Sequence, residues 1–325
     1  MGTSSAPVAG HRRSVSSRTV RGGFGRVAAK PCVFIHTNHR QLVGALVSRY
    51  SIARNSTHAD RFDVRILHAK DYPFLREREG QAFQRDGARA VWRYEDLQSF
   101  TPLRFKPPEE MGYAGRAVVI DPDVFAVGDV WELLSRDMAG KAIVCRPRSG
   151  SKGLEGGMAS SVMLLDCARL RHWRCEQDFA ELFEFRRDYM DWICLKLEPR
   201  DTIGRFEDEW NDFDRLTRAT RLLHNTKRQT QPWKTGLPVD FTPARKRVKP
   251  LNPATWLRPL RRFAAPAPSY SAHPDPNQER FFFGLLKECL EKDIISEALL
   301  REEMSQNHVR HDAFRVLDRT PSLAA

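Results

Sequence analysis

Between residues 32 and 146 the chain alternates short unbroken apolar runs with longer stretches whose apolar residues recur at helical spacing. "CVFIHT" (32–37) is too short for a stable helix and too uniformly apolar for a half-exposed strand, so it reads as a strand buried on both faces. "QLVGALVSRYSIARNS" (41–56) carries the helical spacing until Asn55 and Ser56 break it. "FDVRIL" (62–67), "RAVVID" (116–121) and "AIVCR" (142–146) supply three further strands. Strand, helix and strand in this rhythm predict an α/β layered fold, a mainly parallel central sheet flanked by helices. Such folds take their ligands at the carboxyl ends of the strands.

The pattern fades toward both ends. Residues 1–30 are rich in Ser, Gly and Arg without apolar periodicity, which predicts a disordered basic tail, a composition that also suits an organellar transit peptide. Ala6 stands where an N-myristoylation motif requires Ser or Thr. Residues 31–240 form the expected folded body and residues 241–277 a Pro-rich basic extended segment. Residues 278–325 read as a helical extension. There Phe282, Leu285, Leu286, Cys289 and Leu290 share one helical face, which predicts a helix docked on the body.

Composition narrows the class. At 325 residues, 41% hydrophobic and 29% charged, the chain is an ordinary globular one. It has no stretch of about 18 apolar residues and no secretory pattern, so a cytoplasmic location is expected. Its six cysteines form no CxxC pair and sit among apolar neighbours, as reduced buried thiols do. The net charge of +12 suggests a polyanion, but residues 1–30 hold six basic residues and residues 241–263 hold seven, neither with an acid. Those arms carry all of the excess, so the body is near neutral and no specific nucleic-acid groove is expected. The arms suit an anionic membrane surface or an acidic partner.

The third strand raises a chemical question, because its apolar run stops at Asp121-Pro122-Asp123. Pro122 fixes its own φ and biases Asp121 toward extended backbone, where residues i and i+2 project to one side. Two carboxylates on one side suit a hard divalent cation, Mn²⁺ or Mg²⁺. A second Asp-x-Asp, Asp212-Phe213-Asp214, lacks the preceding apolar strand. Further along, "LLHNTKRQTQPWKTGLP" (222–238) offers His224 as a third metal ligand and Lys227, Lys234 and Gly236 for phosphate oxygens. The competing reading of that stretch is a surface loop anchored by Trp233. Arg104 and Arg116 flank the Asp-containing strand and read as surface ion pairs, with phosphate contact as the alternative, and Trp131, Trp173, Trp192 and Trp210 read as core. "SGSKGLEGG" (149–157) lacks the P-loop arrangement and reads as a mobile lid.

The order "VVIDPDVFAVGDVWELL", "GGMASSVMLLDCARLRHW", "LLHNTKRQTQPWKTG" resembles the family 8 glycosyltransferases, the glycogenin-like retaining enzymes of the Rossmann-like GT-A fold, over roughly residues 31–240. The resemblance implies a nucleotide-diphospho-sugar donor, most simply a UDP-sugar, and a glycan, lipid or protein acceptor. It implies that Asp121, Asp123 and His224 hold manganese and that Lys234 or Lys227 lies near the diphosphate. It also implies that His36, Thr37 and Asn38 meet the base and ribose. Asp188 or Asp191 is the loose counterpart of a carboxylate near the reacting sugar, with a cap on "DWICLKLE" as the structural alternative for Asp191. Two departures stand out: Ala159-Ser160-Ser161 replaces Asn-x-Gly, and Pro232-Trp233-Lys234 reorders Lys-Pro-Trp. These keep a noncatalytic scaffold of the same fold open as an alternative. A sugar-1-phosphate nucleotidyltransferase is disfavoured, because no GxGxR-like loop follows the first strand.

Overall fold

A computed structural model describes residues 1–2, 29–148, 157–241 and 268–323. Nearly all of the basic tail, most of the Pro-rich segment and the glycine-rich 149–156 stretch expected as a lid lie outside the described residues. The strands are β1 (Cys32–Thr37), β2 (Asp63–His68), β3 (Ala82–Arg85), β4 (Ala88–Val91), β5 (Arg116–Ile120) and β6 (Val124–Ala126), followed by β7 (Ile143–Pro147), β8 (Met158–Asp166), β9 (Ile203–Arg205), β10 (Asp212–Phe213) and β11 (Leu222–His224). Six of them form the central sheet in the order β2-β1-β5-β8-β7-β9, in which only β8 runs against the others. The α/β, mainly parallel expectation is met.

The apolar runs explain the sheet. Every residue of β1 is buried, as are Ala117 to Ile120 of β5, because helices and loops cover both faces. β2 and β7 begin one residue later than the apolar runs that predict them. Asp63 N donates to Pro31 O at 2.9 Å at the start of β2, and Ala142 N donates to Thr202 O at 2.9 Å just before β7.

The helix Leu42–Asn55 is buried on more than one side, with Val43, Ala45, Val47 and Ile52 among Ser48 and Ser51. Its serines are stitched to β6. Ser48 Oγ donates to Val124 O at 2.6 Å, Ala126 N donates to Ser51 Oγ at 2.8 Å, and Asn55 Nδ2 donates to Ala126 O at 2.7 Å. These residues lie at i, i+3 and i+7, so one helical face supplies all three bonds. On its other edge β6 pairs antiparallel with β11, which in turn runs parallel to β10.

The C-terminal helix Pro276–Glu291 packs on the body as its apolar face predicts. Phe282 stacks on Trp233 at 4.6 Å and meets Phe125 edge-on at 5.4 Å, and Val43 and Val47 complete that second core. Glu288 accepts from Tyr50 Oη at 2.5 Å and Arg54 Nε at 2.7 Å, tying the two helices together. All six cysteines are buried and free, and burial pushes the Cys32, Cys167 and Cys289 thiols up to about 12. Trp173, Trp192 and Trp210 are core residues, and Trp131 packs at its edge. Among the described residues no helix is long and apolar enough to cross a membrane.

Two stability predictions follow from this packing. Phe282→Ala removes a fully buried ring and is expected to cost about 3–5 kcal/mol in urea unfolding. The second concerns Asp129, whose carboxylate accepts from Ser56 Oγ at 2.5 Å, Thr57 N at 3.1 Å and Trp131 N at 2.9 Å. Burial works to raise its pKa, but these bonds outweigh burial and hold it at about 2. Its folded pKa lies below its unfolded one, so Asp129 stabilises the fold above about pH 4 and loses that contribution as pH falls toward about 2. Asp129→Asn should therefore be less stable than wild type by about 2 kcal/mol at pH 6, with the gap closing by pH 2.

Candidate functional site

The site begins where β5 ends. Asp121 N donates to Ser161 O at 3.0 Å, extending the sheet by one bond, and Val124 N donates back to Asp121 O at 3.2 Å, turning the chain into β6. Gly44 makes room for this turn, since a Cβ there would lie 2.7 Å from Pro122 O. The β6–β11 register sets His224 opposite Val124, and Asn225 N donates to Asp123 O at 3.0 Å. Asp121, Asp123 and His224 thereby come together, each offering a ligand atom within 4.8 Å of the others.

The hydrogen bonds around His224 decide what this trio can hold. Its Nδ1 lies 2.8 Å from Asn211 Oδ1, and Asn211 Nδ2 donates to Ser161 Oγ at 3.1 Å. An amide oxygen only accepts, so Nδ1–H donates to it and Nε2 faces Asp123 Oδ1, 3.3 Å away. Asp123 Oδ1 is itself buried without a hydrogen-bond partner among the described residues, while Oδ2 accepts from Gln231 Nε2 at 3.0 Å. With a proton on Nδ1 alone, two electron-rich atoms face each other in a buried place. A divalent cation bound by both relieves that repulsion, and a histidine that donates its other ring N–H to an oxygen is the usual partner of a metal. The residues therefore fit Mn²⁺ or Mg²⁺.

Asp121 is held differently. Arg104 grips both oxygens, Nε to Oδ1 at 2.9 Å and Nη2 to Oδ2, and His36 Nε2 lies 2.7 Å from Oδ1. Burial works to raise the Asp121 carboxyl, but the Arg104 guanidinium and the His36 imidazole outweigh it and hold the acid well below the usual carboxylate range. Burial also lowers the His36 pKa, so the neutral ring donates to Asp121. A carboxylate has about four lone-pair positions, so Oδ2 can serve Arg104 and a cation together. Arg104 is thus a buried partner of Asp121, which corrects its reading as a surface ion pair. Arg116, half-buried, donates Nη1 to the carbonyls of Leu134 and Arg136.

Above the trio opens a cleft of about 340 Å³, lined among others by Arg85, Arg104, Arg148, Ser160, Ser161 and Arg228. Most of the remaining expected site residues lie elsewhere. Lys234 is fully buried, its Nζ 2.6 Å from Asp240 and its charge over the Tyr270 ring, so it faces the interior rather than the cleft. Lys227 is exposed beside a separate surface pocket with Arg228 and Phe241. Gly236 forms an exposed turn with φ +86°, its N–H on Tyr270 O. Asn38 spends its amide on the 96–99 loop, through Asp96 O, Leu97 O and Ser99 Oγ, and buried Thr37 donates to Asn38 O. Asp191 pairs with Lys196 at 2.8 Å and lies outside the cleft lining; Asp188 is the helix cap. The second Asp-x-Asp is engaged: Asp212 with Arg215 and Thr220, Asp214 with Thr226 and Lys227.

Sequence reasoning missed Asn211, Gln231 and Gln41, which orient the ligands. Gln41 Nε2 donates to Gln231 Oε1 at 3.4 Å, and Gln278 of the C-terminal helix accepts from Asn225 Nδ2 at 2.6 Å. Each has a polar or charged neighbour in sequence, Asp212, Thr230 and Arg40 respectively, so no local pattern marked them.

No family model matches the chain, and no curated protein matches it in sequence. Among solved structures it is similar to the apo form of the glycosyltransferase GlyE of Streptococcus pneumoniae TIGR4, at 16% identity and a TM-score of 0.45, over 75% of this chain and 66% of that chain. It is similar to the galactosyltransferase LgtC in complex with donor and acceptor sugar analogues, at 13% identity and a TM-score of 0.42, over 62% of this chain and 89% of that chain. Mouse xyloside xylosyltransferase 1 gives 13% identity and a TM-score of 0.39, over 60% of this chain and 97% of that one. The chain spans just under two thirds of the GlyE chain. Likeness at these scores carries no argument about activity, so the geometry must.

Gly44→Ala tests how tightly the site turn is packed. Helix propensity alone would favour Ala by about 1 kcal/mol, whereas the contact with Pro122 O forces helix or turn to move at about 1–3 kcal/mol. Net destabilisation in urea unfolding is the expected outcome, and net stabilisation would show that the turn yields freely.

Proposed function

We propose that the chain is a metal-dependent glycosyltransferase that takes a sugar from a nucleoside diphosphate sugar, a UDP-sugar being the expected donor, with retention as the resemblance implies. The observation that carries this reading is the facing pair of Asp123 Oδ1 and His224 Nε2 at 3.3 Å, buried at the carboxyl end of β5 with Asp121 beside them. Asp121, Asp123 and His224 would hold Mn²⁺ or Mg²⁺, which when bound supplies Lewis-acid stabilisation to a departing diphosphate.

The chain's own residues prepare the place. Asn211 fixes the His224 tautomer, and Gln231 pins the Asp123 carboxylate from behind. Arg104 adds a fixed positive charge to the cleft, its Nη1 on Ser160 Oγ at 3.0 Å, so its guanidinium needs no reorganisation as charge develops. Ser160 and Ser161, where the resemblance expects Asn-x-Gly, present buried hydroxyls on the same wall. Asp191, held by Lys196, is left without a chemical role.

One observation favours the noncatalytic alternative. Arg104 already neutralises Asp121, as a resident cation would. Calorimetric titration of UDP and GDP with and without Mn²⁺ separates the two readings. The expected result is metal-dependent binding that disappears in a folded Asp123→Ala protein. Equal binding in that variant would remove the metal assignment, and no binding of either nucleotide with Mn²⁺ would favour the scaffold.

A further inference from the structure

The cleft holds more positive charge than a donor diphosphate requires. Four arginines line it, Arg85, Arg104, Arg148 and Arg228, against the two carboxylates Asp121 and Asp123. Arg104 is committed to Asp121, and Arg148 donates to Cys194 Sγ at 2.6 Å. Arg85 and Arg228 are different: among the described residues neither forms an ion pair with a carboxylate.

Both are nonetheless held in place. The Arg85 guanidinium lies 4.9 Å from the Tyr189 ring centroid, and that of Arg228 lies 5.1 Å from Phe241. A guanidinium over an aromatic face keeps its in-plane N–H edges available for a ligand, with less rotamer entropy to lose on binding. Arg85 is fixed from a second side. Asp188 caps the helix Tyr189–Ile193 through Met190 N at 2.7 Å and also accepts from Asp86 N at 3.1 Å and Gly87 N at 2.8 Å in the β3–β4 turn. One carboxylate therefore locks the hairpin that carries Arg85 to the helix that carries its aromatic platform. Burial works to raise Asp188, but these three backbone bonds and a fourth from Asp191 N at 3.3 Å outweigh it and hold the acid below its usual range.

Charge balance points the same way. A divalent cation offsets Asp121 and Asp123, and Arg104 and Arg148 together offset the two charges of a donor diphosphate, which leaves the charges of Arg85 and Arg228 in the cleft. Unpaired arginine forks in a cleft are built for planar or tetrahedral oxyanions.

We infer that the cleft binds a second anionic group, a carboxylate or phosphate on a sugar, at Arg85 and Arg228, together with the donor diphosphate. This deepens the glycosyltransferase reading and rests on it. The anion belongs to the acceptor or to the donor sugar, and the experiment distinguishes the two sources.

The full chain saturated with Mn²⁺ and inorganic pyrophosphate is titrated calorimetrically with glucose 6-phosphate, glucuronate and glucose. Both anionic sugars should bind more tightly than glucose, and Arg85→Gln/Arg228→Gln should weaken them about tenfold while pyrophosphate binding stays unchanged. Three results would overturn the inference: no preference over glucose, no effect of the double substitution, or a matching loss of pyrophosphate affinity, which would assign both arginines to the diphosphate. If pyrophosphate binds without regard to Mn²⁺, the metal-dependent donor reading fails by itself, and an arginine-dependent preference for the anionic sugars still supports the second subsite. Comparing UDP-glucuronate with UDP-glucose then assigns the source. An arginine-dependent advantage for the glucuronate places the anion on the donor sugar, and its absence places it on the acceptor.

Discussion

The three-residue strand Val124–Ala126 depends on being gripped along both edges, and the rest of the site depends on that grip. On one edge Ser48, Ser51 and Asn55 hydrogen-bond its backbone, and on the other it pairs with Leu222–His224. A strand this short has too few ladder bonds to hold its register unaided. With its register fixed, the preceding Asp121-Pro122-Asp123 turn is fixed, and His224 arrives opposite it. The helix that supplies the three polar bonds also presents Gly44 to Pro122, where a larger residue would push the turn away.

The electrostatics are uneven by construction. Asp121 is satisfied on both oxygens by Arg104 and His36, whereas Asp123 has one oxygen on Gln231 and the other facing the His224 imidazole without a hydrogen-bond partner among the described residues. A buried acceptor without a donor is costly, and such cost persists where a ligand relieves it. The fully paired carboxylate gives the site its rigidity, and the unpaired one gives it an affinity. The C-terminal helix joins this arrangement through Gln278 and Asn225, so the extension that shields Phe125 and Trp233 also steadies the residue next to His224.

The hydrophobic runs of β1 and β5 were legible because strands buried on both faces must be apolar throughout. Asp121 and Asp123 were legible because an apolar strand rarely ends in two acids across a proline, and His224 because it follows an apolar pair within a motif of recognisable order. Lys234 was misplaced for an equally physical reason. A lysine in a Gly- and Pro-containing loop reads as solvated, and nothing local discloses that Asp240 and Tyr270 receive it in the interior. Arg104 was misread in the same way, since its partner lies on a different segment.

Local pattern by itself therefore determined the α/β layering, the buried thiols, the amphipathic C-terminal helix and the carboxylate pair, each through periodicity or backbone bias acting over a few residues. Tertiary structure alone decided which side chains complete the site. His36 and Asp121 are 85 residues apart in sequence, and Gln231 and Asp123 are 108. The hydrogen bond that orients His224, the double hold of Arg104 and the aromatic platforms of Arg85 and Arg228 depend on distances between such segments. Hydrogen bonds and charges act over a few ångströms of space, and sequence order does not encode that separation.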